Sequence, residues 1–290
     1  MANISKRLET NVDGNFFVDS TCIDCDTCRQ LAPTTFIEEG DFSTVFHQPA
    51  NEADEFEAYQ ALIACPVGSI GVAENDDSQF TKAKASFPLE LEPGVFYSGF
   101  NSEKSFGANS YFIQHPDGNW LIDSPRYLKH LVDAFKNLGG IRYIFLSHED
   151  DVADASRYAK TFGATRIIHR ADVRALPDAE WVVEGEVHLQ AGDDLKIIPV
   201  PGHTQGSMAL LYKNRYLFSG DHLWWDPHIK QLDTPSMLIW DEKLLMRSLS
   251  RLLDVTFEWV LPGHGNRVHF DASTMQRQLN VLIDARSKVL

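Results

Sequence analysis

The chain has 290 residues, 43% hydrophobic and 11% aromatic, which is enough apolar material for a sizeable core. This composition excludes a disordered chain, a collagen-like repeat and a small disulfide scaffold. The net charge of −15 argues against nucleic acid and anionic membrane as partners. Residues 1–85 carry 15 acidic and 5 basic side chains, whereas residues 86–290 carry 26 and 21. We therefore expect two domains, at 1–78 and 86–290, with an acidic linker at 73–79.

The chain shows no sign of a membrane segment. No run approaches the ~18 uninterrupted apolar residues that a membrane helix needs. The first nine residues contain no apolar stretch of the kind found in secretion signals. We therefore expect a cytoplasmic protein, in which the four cysteines are thiols or metal ligands rather than disulfides.

The predicted elements change in character along the chain. Strands at 16–19 and 69–72 and a helix at 52–62 surround the cysteines. From about residue 86, strands alternate with amphipathic helices. In chain order these later elements are a hairpin of strands 110–114 and 120–123, helix 127–138, strand 141–146, helix 152–162, strands 166–169, 195–200, 208–212 and 216–219, helix 242–253, strand 259–261 and helix 272–289.

The cysteines form an ordered set. Cys22, Cys25 and Cys28 are separated by two residues each, and Cys65 follows after 36 residues, next to a proline. Such spacing is typical of [4Fe–4S] ligands, whereas zinc sites usually pair two separate knuckles. Two-cluster ferredoxins carry a further cysteine where this chain has Ala32. Residues 11–75 therefore resemble a single-cluster bacterial-type ferredoxin, and the resemblance implies one [4Fe–4S] cluster on these four cysteines and a role in electron transfer.

Histidines and aspartates at apparent strand ends form a second constellation. Each stands beside glycine or proline, where the backbone can turn and aim the side chain into a shared cleft. The motifs are LIDSP (121–125), IFLSHEDDVADA (144–155), PGHTQGS (201–207), FSGDH (218–222) and LPGHG (261–265). In this order they resemble the metallo-β-lactamase superfamily, closest to its glyoxalase II-like branch, over residues 86–290. The resemblance implies an α+β chain: a ferredoxin-like domain followed by an αββα sandwich that holds one or two metals.

The resemblance also implies metal ligands. His148 matches the first histidine of the family motif H-x-H-x-D-H, and Asp150 stands where the second belongs. With a two-residue insertion, Asp154 matches the aspartate and Ala155 the last histidine. Without the insertion, the last two positions fall on Val152 and Ala153, which cannot ligate. The remaining family ligands match His203, Asp221 and His264.

One predicted site comprises His148, Asp150, His203 and Asp221. The other comprises Asp154, Asp221 and His264, so Asp221 bridges the two and one histidine is missing. His222 or His228 could fill that position. Carboxylate in place of imidazole shifts preference toward harder metals, so iron or manganese gains on zinc.

Three functions remain open from the sequence. The first is a hydrolase of a thioester or ester, in which metal activates water and Asp150 or Asp154 accepts a proton. Arg126 would then hold an anionic group of the small-molecule substrate. The second is a redox enzyme in which the cluster feeds electrons to an iron site. The third is a non-catalytic electron carrier or sensor that docks a partner protein.

Overall fold

The computed structural model describes residues 2–288, so Met1, Val289 and Leu290, at the ends of the predicted domains, lie outside the described residues. By its internal contacts the chain divides into two compact units. Of the described residues, unit 1 comprises 2–119 and 124–140, and unit 2 comprises 120–123 and 141–288. Among the described residues, every helix is too short or too polar to cross a bilayer.

Unit 1 combines small antiparallel sheets with four helices. Strand β1 pairs with β4, β2 pairs with β3, and β5, β6 and β7 form an antiparallel set. The bounds are β1 Phe16–Val18, α1 Thr27–Leu31, β2 Phe36–Glu39, β3 Phe42–Val45, α2 Glu52–Ala64, β4 Ile70–Val72, α3 Asp77–Ala85, β5 Leu89–Glu92, β6 Val95–Tyr97, β7 Tyr111–Ile113 and α4 Lys129–Asn137.

Helix α2 is the main helix around the cysteines. Asn51 caps its first turn by accepting hydrogen bonds from the backbone N–H groups of Ala53 and Asp54. Its buried Tyr59 packs edge-on against Phe16 of β1, with ring centroids 5.1 Å apart. The cap and the aromatic contact fix the helix that leads into Cys65.

The predicted linker at 73–79 is wrong from residue 77 onward. Asp76 accepts hydrogen bonds from the N–H groups of Ser78 and Gln79, and α3 begins there. The acidic run is therefore a helix-capping sequence rather than a spacer. Phe80 of α3 packs edge-on against Tyr59, which places α3 against α2.

Unit 2 contains two larger sheets. Strands β8, β9, β10 and β11 are parallel, and a second sheet has the order β12-β13-β14-β15-β18-β19. The bounds are β8 Trp120–Ile122, β9 Tyr143–Phe145, α5 Ala155–Phe162, β10 Thr165–His169, β11 Trp181–Val183, β12 Leu189–Gln190, β13 Leu195–Pro199, β14 Met208–Tyr212, β15 Tyr216–Gly220, β16 Trp224–Asp226, β17 Gln231–Asp233, α6 Glu242–Arg251, β18 Trp259–Pro262, β19 Val268–His269 and α7 Ala272–Ser287.

The layers of unit 2 agree with the predicted sandwich. Helix α5 packs on β10 of the first sheet, and α6 and α7 pack on the second sheet through one cluster of buried aliphatic side chains. Every residue of β14 and β15 is buried, as expected for strands that are covered on both faces. The order is therefore helix, sheet, sheet, helix.

Strand direction in the second sheet determines where its loops meet. Strands β13 and β15 both run antiparallel to β14, and β15 runs parallel to β18. The carboxyl ends of β13, β15 and β18 therefore lie at the same edge. The loops that follow these three strands carry His203, Asp221 and His264.

Two glycines of unit 1 allow the energetic cost of steric overlap to be separated from the cost of backbone strain. Gly99 and Gly40 share a φ of +64°, but a Cβ on Gly99 would lie 2.2 Å from the buried Phe87 ring, whereas Gly40 has open space. We expect Gly99→Ala to lower the free energy of unfolding by about 2–4 kcal/mol and Gly40→Ala by only about 1 kcal/mol. Urea titration of the two variants measures the difference, and equal losses would contradict the packing argument.

Candidate functional site

The four cysteines line one pocket within unit 1. Cys28 and Cys65 are buried, and Cys22 and Cys25 are half-buried. Apolar and small polar side chains complete the lining: Val18, Ile23, Thr27, Ser43, Val67, Ser69 and Ile70. The structure thus brings together all four cysteines that the spacing predicted.

The cysteine pocket fits a cationic iron–sulfur core. Burial raises the pKa of Cys25 to about 11 and that of Cys28 well above the usual thiol value. Thiolates so enclosed are costly unless a cation compensates them, and a cluster supplies iron for that purpose. The backbone N–H of Asp24 already points at Cys22 Sγ, at 3.4 Å, as a donor to a thiolate would.

Arg126 also lies in unit 1. Its Nη2 donates to the carbonyl of Ile63 at 2.9 Å, and its backbone N–H donates to the carbonyl of Phe100 at 2.9 Å. These partners are backbone groups beside the cysteine region. The substrate contact that the sequence suggested for Arg126 stays a prediction.

Within residues 2–288, unit 2 contains two groups of side chains that could hold a metal ion, and the groups share one carboxylate. In each group the ligand atoms lie within 4.8 Å of one another. The first donor group is His148, His203 and Asp221, and the second donor group is Asp151, Asp221 and His264. Four of these five residues were predicted as ligands, and Asp221 takes the bridging position.

His148 is oriented by its neighbour in the chain. The Ser147 hydroxyl lies 2.8 Å from His148 Nδ1, and the Ser147 N–H donates to Asp123 at 2.8 Å. This leaves His148 Nε2 facing Asp221 Oδ2 at 3.7 Å, buried and with no hydrogen-bond partner among the described residues. Burial raises the pKa of Asp123 to about 7, and its bond from Ser147 identifies it as a support for the loop.

Asp221 and His264 are held together by two contacts. The His264 N–H donates to Asp221 Oδ1 at 3.0 Å, and His264 Nδ1 lies 2.8 Å from Asp221 Oδ2. Burial alone would raise the pKa of Asp221, but His264 and His148 outweigh it and hold the pKa well below its usual value. A Cβ on Gly263 would lie 2.5 Å from Asp221 Oδ1, so this close approach requires glycine.

Asp150 lies at the open side of the first donor group. Its Oδ2 is 3.6 Å from His203 Nε2 and 3.7 Å from His148 Nε2, and its side chain is 65% exposed. The contact with His203 lowers the pKa of Asp150, so this carboxylate is ionised at neutral pH. It can therefore serve as a ligand or as a proton acceptor, the two roles that the sequence suggested.

Asp151 is the donor that the sequence interpretation missed. Its carboxylate is completely buried, and neither oxygen has a hydrogen-bond partner within residues 2–288. Burial, reinforced by Asp221 and Asp123, raises its pKa well above the usual value. Its Oδ2 lies 3.8 Å from His148 Nδ1. A buried carboxylate without hydrogen bonds is costly, and a cation between the two donor groups would relieve that cost. The donor set therefore fits bound metal.

The structure does not bring Asp154 into either donor group, which differs from the predicted second site. Asp154 precedes α5 and lies 3.9 Å from Arg157 Nη1. Ala155, where a missing histidine was inferred, is completely buried in the first turn of α5. His222 is buried and outside both groups, with its pKa lowered to about 3 by burial, and His228 is exposed.

Comparison with known proteins identifies both regions. Residues 92–283 match the family described as the metallo-beta-lactamase superfamily. The chain belongs to this superfamily. Residues 18–72 match the 4Fe-4S single cluster domain of Ferredoxin I. The predicted fold, a ferredoxin-type iron–sulfur region followed by a metallo-beta-lactamase domain, is confirmed.

Individual relatives share only part of their length with this chain. A beta-lactamase-like protein 2 homolog of Drosophila melanogaster is 24% identical over 199 residues, which is 60% of this chain and 64% of the relative. A hydroxyacylglutathione hydrolase of Anaeromyxobacter dehalogenans is 38% identical over 79 residues, 27% of this chain and 30% of the enzyme. A metallo-beta-lactamase family protein of Thermus thermophilus has a TM-score of 0.51 at 17% identity, covering 69% of this chain and 81% of its own. This last likeness shows the fold alone.

The cysteine pocket predicts that one cluster depends on Cys65. Anaerobically purified protein should contain four iron and four sulfide per chain beyond any iron in unit 2. Cys65→Ser should abolish the charge-transfer absorption of the cluster. Ser69→Ala is the matched control, because the Ser69 hydroxyl lies 3.4 Å from Cys65 Sγ but is no ligand. A Cys65→Ser variant with the full spectrum would contradict the assignment.

The second donor group predicts which aspartate binds metal. Asp151→Asn should lower the metal content of unit 2 at least tenfold at limiting metal, since a ligand is lost. Asp154→Asn should leave it unchanged. Metal analysis of the two full-length variants measures the contrast. If only Asp154→Asn lowered the metal content, Asp154 rather than Asp151 would be the ligand, as the motif aligned with a two-residue insertion predicts.

Proposed function

We propose that unit 2 binds two divalent metals that share Asp221 and that the protein is a metal-dependent hydrolase of a thioester or ester. The observation that carries this proposal is the pair of donor groups joined at one carboxylate. The Asp151 carboxylate, which lacks a hydrogen-bond partner within residues 2–288, supports a second metal, because it belongs to the second donor group. The names of the matching hydroxyacylglutathione hydrolases support the thioester class.

An open groove beside the first donor group can admit a small organic substrate. Its lining includes Asp150 and His203, which lie at the first donor group, together with Leu238 and Trp240. The Trp240 N–H donates to the carbonyls of Gly202 and His203, at 2.9 and 3.0 Å, which ties this segment to a ligand loop. Leu238 and Trp240 are largely exposed, so the groove offers apolar contact next to polar chemistry.

The residues of the site have separable tasks in this proposal. Bound metal would supply a Lewis acid and lower the pKa of water. Asp150, ionised and exposed to the groove, accepts the proton of the attacking water at Oδ2. Ser147 holds His148 in one orientation through Nδ1, and Asp123 holds Ser147. These fixed contacts limit the rearrangement needed during reaction.

A redox enzyme is the second candidate, and the composition of the donor set favours it. Asp150, Asp151 and Asp221 add hard oxygen donors to the histidines, which suits iron. In this case the cluster would pass electrons to iron in unit 2 and receive them from a partner protein. The −10 charge of residues 1–85 would suit a partner with a basic surface. The four free cysteines fit a reducing compartment, and we propose a cytoplasmic location.

Metal analysis combined with an acyl-thioester assay distinguishes these functions. The hydrolase predicts zinc, manganese or iron in unit 2 together with thioester hydrolysis. His203→Ala should lower kcat/KM at least a hundredfold while leaving the cluster spectrum intact, because His203 belongs to the first donor group. His228→Ala is the matched control, since His228 is exposed and outside both groups.

The other outcomes are equally specific. Iron above four per chain, with no hydrolysis of esters or thioesters, would support the redox enzyme. Full activity of His203→Ala would reject the hydrolase proposal. A protein that takes up no metal in unit 2 after anaerobic loading would instead be an electron carrier or sensor.

A further inference from the structure

Residues from the metallo-beta-lactamase region form part of the cysteine pocket's surroundings within unit 1. Gly107, with φ of +88°, packs directly on Cys25, and a Cβ at this position would lie 2.9 Å from Cys25 Sγ. Thr27 Oγ1 accepts a hydrogen bond from the Cys25 thiol at 3.4 Å and donates one to the Gly107 carbonyl at 3.4 Å. The environment of Cys25 is therefore built from both family regions.

Asn101 organises this contact. It is completely buried, and its Nδ2 donates to Gly107 O at 2.7 Å and to Thr27 Oγ1 at 3.0 Å. Its backbone N–H donates to the carbonyl of Ala64, the last residue of α2. A segment far from the cysteines in sequence thus binds both ends of the cysteine set, next to Cys25 and next to Cys65.

Arg126 also donates a hydrogen bond to the backbone near Cys65. Its Nη2 donates to the carbonyl of Ile63, two residues before Cys65, and its guanidinium lies 6.0 Å from the centre of the Phe100 ring. Burial lowers the pKa of Arg126, and its electrostatic interaction with Cys65 opposes this effect. A half-buried positive charge is therefore anchored to the backbone two residues before a cluster ligand.

We propose that the positive charge of Arg126 raises the reduction potential of the cluster held by Cys22, Cys25, Cys28 and Cys65. The geometry that supports this is the anchoring of its guanidinium to the backbone next to Cys65. The proposal concerns unit 1 and does not depend on the reaction in unit 2.

Charge balance explains the expected direction. Reduction adds one electron from an external donor, so the cluster and its thiolates become more negative by one charge. A nearby guanidinium stabilises the more negative state, and low polarity in a buried site strengthens the effect. Because arginine stays protonated throughout the accessible pH range, its charge acts at every working pH.

The test is an anaerobic redox titration of the full-length holoprotein with dithionite, followed by EPR and visible absorption. At the midpoint potential of the wild-type protein, Arg126→Gln should lower the ratio of reduced to oxidised cluster about tenfold, which is about 59 mV for one electron. Arg126→Lys should stay within about threefold, because it keeps the charge. Lys129→Gln is the control, as its side chain is 89% exposed in the same unit.

Each outcome decides the proposal. An Arg126→Gln protein with an intact cluster and an unchanged potential would show that Arg126 only packs on α2. Equal shifts for Arg126→Gln and Arg126→Lys would exclude charge as the cause. If Arg126→Gln does not hold a cluster, Arg126→Met replaces it as the neutral variant. If Arg126→Met also lacks a cluster, the potential of Arg126→Lys decides. A tenfold shift with Arg126→Lys would then overturn the proposal.

Discussion

The Asp221 carboxylate joins the loops that make the metal site of unit 2. It accepts from His264, and its Oδ2 lies 3.7 Å from His148 Nε2 and 3.8 Å from His203 Nε2. These histidines follow different strands, so the site exists only when both sheets are in place. A buried carboxylate with fewer partners would oppose folding, whereas the three histidines, together with the metal that we propose, would offset the cost of its burial. Ligand geometry and fold stability therefore depend on the same group.

The sequence predicted the sandwich and most of the donors because both are encoded locally. His148, His203, Asp221 and His264 each stand at a strand end beside turn-forming residues, and parallel or alternating strands bring such ends to one edge. The sequence interpretation missed Asp151 because the family motif was aligned by residue spacing, which selected Asp150 and Asp154. The signal was the short 3-10 turn at Glu149–Asp151, in which three residues make one turn and residue 151 returns to the side of His148.

The environment of Arg126 could not be predicted in the same way. One partner of its guanidinium, Ile63, is 63 positions away, and the contact is to a backbone carbonyl that any residue would provide. Asn101 and Gly107 likewise meet Thr27 and Cys25 across about 80 positions. Sequence motifs identify side chains that perform chemistry, but they carry little information on backbone groups that serve as anchors.

The two arginines near the cysteines differ in the direction of their pKa shifts. Arg29 lies 2.5 Å from Asp24 and 2.8 Å from Asp26, and although burial lowers its pKa, these carboxylates raise it on balance. Its charge is thus largely neutralised within the cysteine loop. Arg126 donates to the backbone carbonyls of Ile63 and Phe100, and burial, opposed by the interaction with Cys65, lowers its pKa. Because this second arginine belongs to the metallo-beta-lactamase region, that region contributes to the electrostatics of the cysteine pocket as well as to the metal site.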